Sequence, residues 1–325
     1  MKLHRRNFLE LAAAAALPIS SRAAWGQSYP TRAVRIVLGF SAGGSADLIT
    51  RVIGQWLSER LGQQFIIDNK PGAATNLAAE AAIHAPADGY TLLFASPAAS
   101  VNATLYERLN FNFIRDTAPV AALTKSPLVM VVNPSVPATS VREFIAYAKS
   151  KPATVSFASG GVGTGTHLAG ELFKMMAGVD LIHVPYRGGE APAVNDLMGG
   201  HIQLMFPAVA AAVDHIKTGE LRALGTTYTT RSEMLPNVPT VAEVLPGYEA
   251  GGWAGIVAPK GTPDDIVKRL NSEINAGLAD GKIRARFSDW GLTITPGSPA
   301  DFAKFLGDET EKWGKVIRAA NIKPI

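Results

Sequence analysis

The chain has 325 residues, with 31 Lys or Arg, 27 Asp or Glu and a hydrophobic fraction of 47%. A disordered chain is excluded because it would be more polar and more strongly charged. The absence of cysteine excludes a disulfide scaffold, a thiolate metal site, a cysteine nucleophile and a lipid-modified N-terminal cysteine. We therefore expect a compact, soluble protein with one large or two ordinary domains.

The N-terminus has the features of an export signal. Basic residues within positions 2–6 precede an apolar stretch over residues 8–17, and Ala24-Trp25-Gly26 offers small residues for cleavage. Because this stretch is shorter than the ~20 residues that span a bilayer, we expect a cleaved signal peptide over residues 1–26 and a periplasmic protein. The string Arg5-Arg6-Asn7-Phe8-Leu9 resembles a twin-arginine signal, and the general secretory route remains the alternative.

Removal of this leader changes the charge balance. The leader carries four basic residues and one acid, so the net charge falls from +4 for the whole chain to +1 for the remaining 299 residues. No run of Lys or Arg occurs in that part, and a nucleic-acid partner is therefore not expected.

Apolar runs of strand length alternate with segments of helical period along the mature chain. The predicted strands cover residues 34–38, 65–67, 91–95, 128–132, 155–158, 181–184, 202–206, 221–226 and 255–258. The predicted helices cover residues 47–61, 76–83, 141–150, 167–177, 191–198, 209–217, 263–279, 282–290 and 299–319. This alternation predicts an α/β fold with parallel or mixed sheets covered on both faces.

Nine predicted strands are more than one sheet is expected to contain in a chain of this length, and we therefore expect two lobes. Proline-rich passages at Ser126-Pro127 and over residues 245–252 are the best candidate boundaries. This division builds lobe one from residues 27–126 and 253–325, and lobe two from residues 127–252.

Three loops rich in glycine and hydroxyl residues each follow a predicted strand and precede a predicted helix. They cover residues 39–47, 69–76 and 159–167. Glycine allows close approach of a ligand, and a helix N-terminus presents unpaired N–H groups. Such loops lie at the carboxyl ends of strands, where α/β proteins bind ligands. If they converge on one crevice, they suit a small anion; the alternative is that they are ordinary turns.

An enzyme is the alternative class of function. Gly39-Phe40-Ser41-Ala42-Gly43 matches the nucleophile elbow of α/β-hydrolases, with Ser41 as the nucleophile. However, only residues 27–40 precede Ser41, which leaves no room for an upstream oxyanion loop. Glu80 and His84 are four residues apart but lack a placed third ligand, so no metal site is expected.

The order and spacing of six strings are informative together. They are Phe40-Ser41-Ala42-Gly43-Gly44-Ser45-Ala46-Asp47 with Arg51, Asn69-Lys70-Pro71-Gly72-Ala73, Ser159-Gly160 with His167-Leu168, His183-Val184-Pro185-Tyr186-Arg187-Gly188, Asn237-Val238-Pro239-Thr240-Val241-Ala242-Glu243 and Ala258-Pro259-Lys260-Gly261-Thr262-Pro263. With them the chain resembles the solute-binding proteins of tripartite tricarboxylate transporters, the periplasmic Bug-type receptors, over essentially its whole mature length.

The resemblance implies a two-lobed, type II-like periplasmic binding protein that closes on a small organic carboxylate. It implies a receptor rather than an enzyme, with no catalytic residue, no metal and no cofactor. The implied partners are a large and a small membrane subunit of a secondary transporter, and a sensor kinase is a further partner that the sequence leaves open. We expect a monomer.

The resemblance also implies which positions bind the ligand, mainly through backbone N–H groups and ordered waters. Lobe one would contribute Phe40, Ala42, Gly44, Asp47, Asn69, Gly72, Ala73 and Ser96, and lobe two Ser159, Gly160, Thr164 and His167. Tyr186 and Arg187 would lie near the closing edge.

Two positions depart from the family pattern. Ala74-Thr75 stands where the family usually continues with glycines, which predicts a narrower and differently decorated pocket. Pro207 stands where the family often has an acid after the strand that ends at Phe206. Loss of that acid would remove a partner for an amino group, so the expected ligand is a carboxylate without an ammonium group.

Overall fold

The computed structural model describes residues 29–106, 108–186 and 190–323. The predicted signal peptide, its cleavage site and Arg187 lie outside these residues. The strands are β1 (Val34–Leu38), β2 (Phe65–Asn69), β3 (Thr91–Ala95), β4 (Thr117–Pro127), β5 (Val129–Val132), β6 (Ser156–Ser159), β7 (Ile182–Pro185), β8 (Leu204–Met205), β9 (Arg222–Thr226), β10 (Gly251–Pro259) and β11 (Thr293–Ile294).

Helices cover both sheets. They are α1 (Ser45–Leu61), α2 (Asn76–Ile83), α3 (Pro97–Leu105), α4 (Phe113–Asp116), α5 (Val141–Ser150), α6 (Gly165–Ala177), α7 (Glu190–Met198), α8 (Val209–Lys217), α9 (Asp264–Ala279), α10 (Gly281–Asp289) and α11 (Pro299–Ala319). In the described part of the chain, no helix combines the length and the apolar character needed to cross a membrane.

The first sheet has six strands in the order β11-β4-β10-β3-β1-β2. β1 pairs in parallel with β2 and β3, whereas β10 is antiparallel to both β3 and β4. Strand β3 is buried at all five positions. Burial on both faces is the reason that the strands of this sheet read as apolar runs in the sequence.

Helix α1 illustrates how the helices pack on this sheet. Its buried residues include Ile49, Ile53 and Leu57, which are spaced four apart and therefore share one face. Gly62 ends the helix with φ of 70°, a left-handed conformation that glycine adopts without steric cost. The helix begins just after Gly44, and its N-terminus follows the carboxyl end of β1.

The second sheet has five strands in the order β7-β6-β8-β5-β9. β6 is parallel to β7 and β8, and β5 is antiparallel to β8 and β9. Its core contains the fully buried rings of Phe144, Phe157, Phe173, Phe206 and Tyr248.

The chain passes between the two sheets along two neighbouring strands. β4 ends at Pro127, which is opposite Gly251 at the start of β10. Next to this crossing, the Thr227 hydroxyl bridges the backbone N–H and C=O of Leu128 at 3.0 Å each, and the Tyr228 hydroxyl donates to the Gly252 carbonyl at 2.6 Å. The crossing lies near the boundaries predicted from the sequence, and the lobe limits given above remain our proposal.

Helix α11 packs against both cores. Phe302 and Leu306 belong to a cluster under the first sheet, whereas Trp313 and Ile317 belong to the core of the second sheet. The C-terminal segment therefore does not pack on lobe one alone.

The sequence did not predict α3, α4, β4 or β11. Strand β4 contains small and polar residues, and its pairing with β10 is interrupted by register shifts after Ala254 and after Ile256. These irregularities break the period of two on which strand prediction depends. β10 also begins four residues before the predicted strand of residues 255–258, because Gly251 and Gly252 give no strand signal.

Candidate functional site

A cavity of about 590 Å³ lies between the two sheets. Its walls come from lobe one at Phe40, Ala74-Thr75 and the start of α3, and from lobe two at residues 162–166 and at Glu190 and Ala208. Gly251 and Gly252, at the crossing strand, also line it. The cavity therefore contacts both lobes and the connection between them.

Four helices begin at this cavity. Thr75, Ser96, Thr164 and Ala208 are the N-cap residues of α2, α3, α6 and α8. All four line the cavity, and so does Glu190 of α7. The first N–H groups of a helix have no intrahelical partner and carry a partial positive charge, so this end of the fold favours an anion.

The Ser96 hydroxyl is available on the lobe-one wall. It accepts no capping hydrogen bond from its own helix, whereas the Thr164 hydroxyl accepts one from the His167 N–H at 3.4 Å. Pro97, the next residue, has no N–H to satisfy and preorganises the first helical turn. Ser96 can therefore donate to a ligand from a fixed position.

The lobe-two loop between β6 and α6 is held by its own hydrogen bonds. The Gly160 N–H donates to the Thr166 hydroxyl at 2.9 Å, and the Thr164 hydroxyl donates to the Gly161 carbonyl at 2.7 Å. Gly161 and Gly163 have φ of 126° and 78°, which residues with a side chain rarely adopt. The conformation of this loop is therefore held by hydrogen bonds within the chain itself.

Two stacked histidines lie next to this loop, and one of them is hydrogen-bonded to it. The rings of His167 and His183 lie 3.8 Å apart, and the Gly163 N–H donates to Nδ1 of His167 at 3.0 Å. Burial lowers the pKa of His167 to about 3 and the pKa of His183 to about 4, and the charge of Lys174 acts in the same direction. Both rings are therefore neutral near pH 7, and His167 holds the loop as a hydrogen-bond acceptor.

Asp47 organises the lobe-one loops rather than the cavity wall. Its side chain is 3% exposed. Oδ2 accepts from the Gly43 N–H at 2.9 Å and from Arg51 Nε at 2.8 Å, and Oδ1 accepts from Asn69 Nδ2 at 3.0 Å. The hydrogen bond from Arg51 is the main reason that the pKa of Asp47 lies at about 2. Asn69 also donates to the Phe40 carbonyl at 3.0 Å, which connects this network to a residue of the cavity.

The second lobe-one loop has an unusual backbone. Ala73, Ala74 and Thr75 have φ of 46°, 50° and 75°, although left-handed backbone costs energy for residues with a side chain. Asn102 Nδ2 donates to the Ala74 carbonyl at 2.7 Å and helps to hold this conformation. The strained loop places Ala74 and Thr75 on the cavity wall.

Apart from Tyr186, the predicted site residues that the structure describes fall into three groups. Phe40, Ser96 and Thr164 line the cavity. Among the others, Asp47, Asn69, Ser159, Gly160 and His167 hold the loops by hydrogen bonds, while Ala42, Gly44, Gly72 and Ala73 are exposed. The Tyr186 hydroxyl donates to Asp196 at 2.6 Å, and Tyr186 is not on the cavity wall. A role in binding for each of these positions stays a prediction.

Sequence reasoning missed several residues of the cavity. They include Pro97, Ala98, Asn102, Ser126, Glu190, Ala208 and Lys323. The Ser96-Pro97 pair is a helix-start signal that could have revealed α3 and its contribution. Glu190 and Lys323 belong to no motif, and only tertiary packing brings them to the site.

Glu190 and Lys323 are the charged residues among the described cavity-lining residues. Oε2 of Glu190 accepts from the Ala208 N–H at 3.4 Å. Burial raises the pKa of Glu190, as expected for a carboxylate that has lost water.

Neither serine that could suggest a hydrolase is placed for catalysis. Ser41 is exposed, does not line the cavity, and within the described residues has no hydrogen bond to a histidine. Ser159 Oγ does lie 2.7 Å from Nε2 of His183. However, Ser159 is 0% exposed, so a substrate cannot reach it.

A model of the family described as the tripartite tricarboxylate transporter family receptor matches residues 49–322. The chain belongs to this family. The resemblance identified from the loops is thereby confirmed, and so is the two-lobed, type II-like fold of periplasmic binding proteins. The family is one of solute-binding receptors rather than of enzymes.

Three relatives illustrate the similarity. BugT of Bordetella pertussis is 34% identical over 95% of this chain and 94% of its own length. A structure of Rpa4515 of R. palustris with adipate is 36% identical, with a TM-score of 0.74, and covers 91% of this chain and 100% of that protein. MatC of Rhodopseudomonas palustris with bound malate is 30% identical, with a TM-score of 0.70, and covers 89% of this chain and 100% of that protein.

Proposed function

We propose that this protein is a periplasmic receptor that captures a small organic carboxylate by lobe closure and delivers it to the membrane subunits of a tripartite tricarboxylate-type transporter. The observation that carries the proposal is the convergence of four helix N-termini, from both lobes, on one cavity. An anion bound there is stabilised by aligned N–H groups without an arginine cluster.

The size and the position of the cavity support the same conclusion. A volume of about 590 Å³ falls within the roughly 300–1,000 Å³ that is usual for small-molecule sites. Because the ligand would contact both lobes, it would bind the closed arrangement more tightly than the open one and shift the equilibrium toward closure. The ligands of Rpa4515 and MatC, adipate and malate, are both small carboxylates.

The transporter subunits are the partners that family membership supports. Export by a cleaved leader over residues 1–26 and the absence of enzymatic activity are part of the same proposal. A sensor kinase partner and a monomeric state stay predictions from the sequence.

Thermal unfolding in the presence of carboxylates tests this function. Protein is unfolded and refolded to remove any bound ligand, and then mixed with mono-, di- and tricarboxylates. A ligand at a hundred times its Kd adds about 2.7 kcal/mol of stability. For domains of this size that amounts to a Tm increase of about 5–10 °C. If fully refolded protein shows no shift with any carboxylate, the proposal is wrong.

A matched pair of variants locates the binding site. Ala98 lines the cavity in the first turn of α3, where an added aspartate suits the helix and competes with an incoming carboxylate. We therefore expect Ala98→Asp to fold normally and to lose the Tm increase. Ala103→Asp places the same charge on the same helix at an exposed position outside the cavity and should keep the increase. Equal behaviour of the two variants would place binding elsewhere.

A further inference from the structure

Glu190 brings an acidic group to a cavity that otherwise favours anions. It lies on α7, is partly buried, and lines the cavity together with Ala208, from whose N–H it accepts a hydrogen bond at 3.4 Å. A carboxylate group has about four lone-pair positions, and this contact uses one of them. The hydrogen bond from the Ala208 N–H fixes the carboxylate of Glu190, and its other lone pairs remain for a further donor.

Closure of the lobes would remove water from this carboxylate. A buried acceptor that loses its water without gaining a donor costs free energy, and a charged acceptor costs more than a neutral one. A ligand that presents an O–H or N–H group to Glu190 replaces the lost water. A second carboxylate in the same place would be repelled instead.

We propose that Glu190 makes this receptor selective for carboxylates that carry a hydroxyl or ammonium donor, and that it disfavours dicarboxylates that lack one. The inference rests on the proposed function, since it concerns the second end of a ligand whose carboxylate binds at the helix N-termini. It requires only that the Glu190 carboxylate faces the cavity. Lys323 lines the same cavity, and Arg187 lies outside the described residues.

The inference replaces an expectation that rested on Pro207 alone. The acid that the family often has at this point of the chain is missing, and this predicted a ligand without an ammonium group. However, Glu190 places a carboxylate against Ala208, the residue after Pro207. The cavity wall at Ala208 thus has an acceptor for a donor group of the ligand, and α7 supplies it.

Two matched ligand series test the proposal by isothermal titration calorimetry. The four-carbon series is butyrate, γ-hydroxybutyrate, γ-aminobutyrate and succinate, and the six-carbon series is caproate, ε-hydroxycaproate, ε-aminocaproate and adipate. In the series whose length fits the cavity, the unmodified protein should bind the hydroxyl- or ammonium-bearing acid at least about tenfold more tightly than the plain acid and the dicarboxylate, as expected for a hydrogen bond to a charged group.

Glu190→Gln removes the charge at constant size. We expect it to lose the ammonium preference and to bind the dicarboxylate about tenfold more tightly than the unmodified protein does. Glu190→Asp keeps the charge and should keep the penalty against the dicarboxylate. Glu233→Gln makes the same charge change at an exposed position of lobe two outside the cavity and should change no ratio.

The outcomes separate the two proposals. If the unmodified protein binds carboxylates but prefers the dicarboxylate, or if Glu190→Gln leaves every ratio unchanged, the role of Glu190 is refuted and the receptor function stands. If refolded protein binds no member of either series and no carboxylate of the wider thermal panel, the proposed function itself is refuted. Circular dichroism and the ligand-free Tm of each variant exclude misfolding as the cause.

Discussion

At the scale of single residues, the side chains that define the site are mostly not those that would touch a ligand. Asp47 and His167 each fix a loop through hydrogen bonds to backbone N–H groups of Gly43 and Gly163. Both side chains accept the hydrogen bond, but Asp47 is charged near pH 7 and His167 is neutral. Within the described residues, the cavity wall is formed by glycines, by apolar and hydroxyl- or amide-bearing side chains and by the charged Glu190 and Lys323.

Asp47 makes the stability of lobe one sensitive to acid. Its folded pKa of about 2 lies below the value of about 3.9 in an unfolded chain. The stabilisation is therefore fully present above about pH 4 and is lost as the pH falls toward 2. We expect Asp47→Asn to destabilise the protein by about 1–3 kcal/mol at pH 7, because the Arg51 pair is lost, and by clearly less at pH 3. Urea unfolding at the two pH values measures this difference.

Asp214→Asn is the matched control, because Asp214 is 90% exposed and lies on the other lobe. Its effect should be small at both pH values. If Asp47→Asn lowers the free energy of unfolding as much at pH 3 as at pH 7, the charge of Asp47 does not stabilise the protein.

At the scale of elements, helix α11 and its buried acid connect the two cores. Glu309 is 7% exposed and accepts from Trp253 Nε1 at 3.2 Å and from Trp313 Nε1 at 2.8 Å. Lys312 also contacts Glu309. One carboxylate thus joins a crossing strand of the first sheet to a tryptophan of the second core.

Removal of this acid should be costly. Glu309→Ala leaves two buried indole N–H groups without their acceptor and removes the carboxylate partner of Lys312, which keeps only the Glu249 carbonyl. We expect a loss of stability of about 3–5 kcal/mol. Glu309→Gln keeps an acceptor and should lose less. Glu311→Ala breaks an exposed pair with Lys315 on the same helix and should cost no more than about 1 kcal/mol. Chemical denaturation of the three variants measures their free energies of unfolding. An equal loss of stability for Glu309→Ala and Glu311→Ala would refute the role of Glu309.

The contrast between predicted and unpredicted elements has a physical cause. The strand of residues 91–95 was predicted because burial on both faces makes it continuously apolar, and the helix Asn76–Ile83 because it is rich in alanine. β4 escaped prediction because its small and polar residues are compatible with either structure until β10 pairs with it. Among site residues, Thr164 follows from loop chemistry, whereas Glu190 becomes a site residue only through the packing of α7 beside Ala208.

At the scale of the whole molecule, the two sheets are joined at two places. Two neighbouring strands, together with the hydrogen bonds of Thr227 and Tyr228, form one connection, and helix α11, which packs against both cores, forms the other. The proposed closure therefore has to bend the strands while the contacts of α11 are kept or exchanged, and a ligand that contacts both walls can supply the free energy for it.

Small-angle X-ray scattering tests closure directly. We expect the radius of gyration to decrease when a carboxylate identified by thermal shift is added, because the lobes approach each other around it. Ala98→Asp protein should show no decrease at the same concentration, while Ala103→Asp should behave like the unmodified protein. Tight binding without any change in scattering would argue against closure.

The packing of α11 also bears on synthesis. β10 lies between β3 and β4 in the first sheet, and Trp313 and Ile317 complete the core of the second. Neither half of the molecule can be finished while the ribosome is still making the first 250 residues, since both wait for the last segment of the chain. The final packing of both cores is therefore expected only after α11 has been synthesised, and loss of this one helix would affect both sheets.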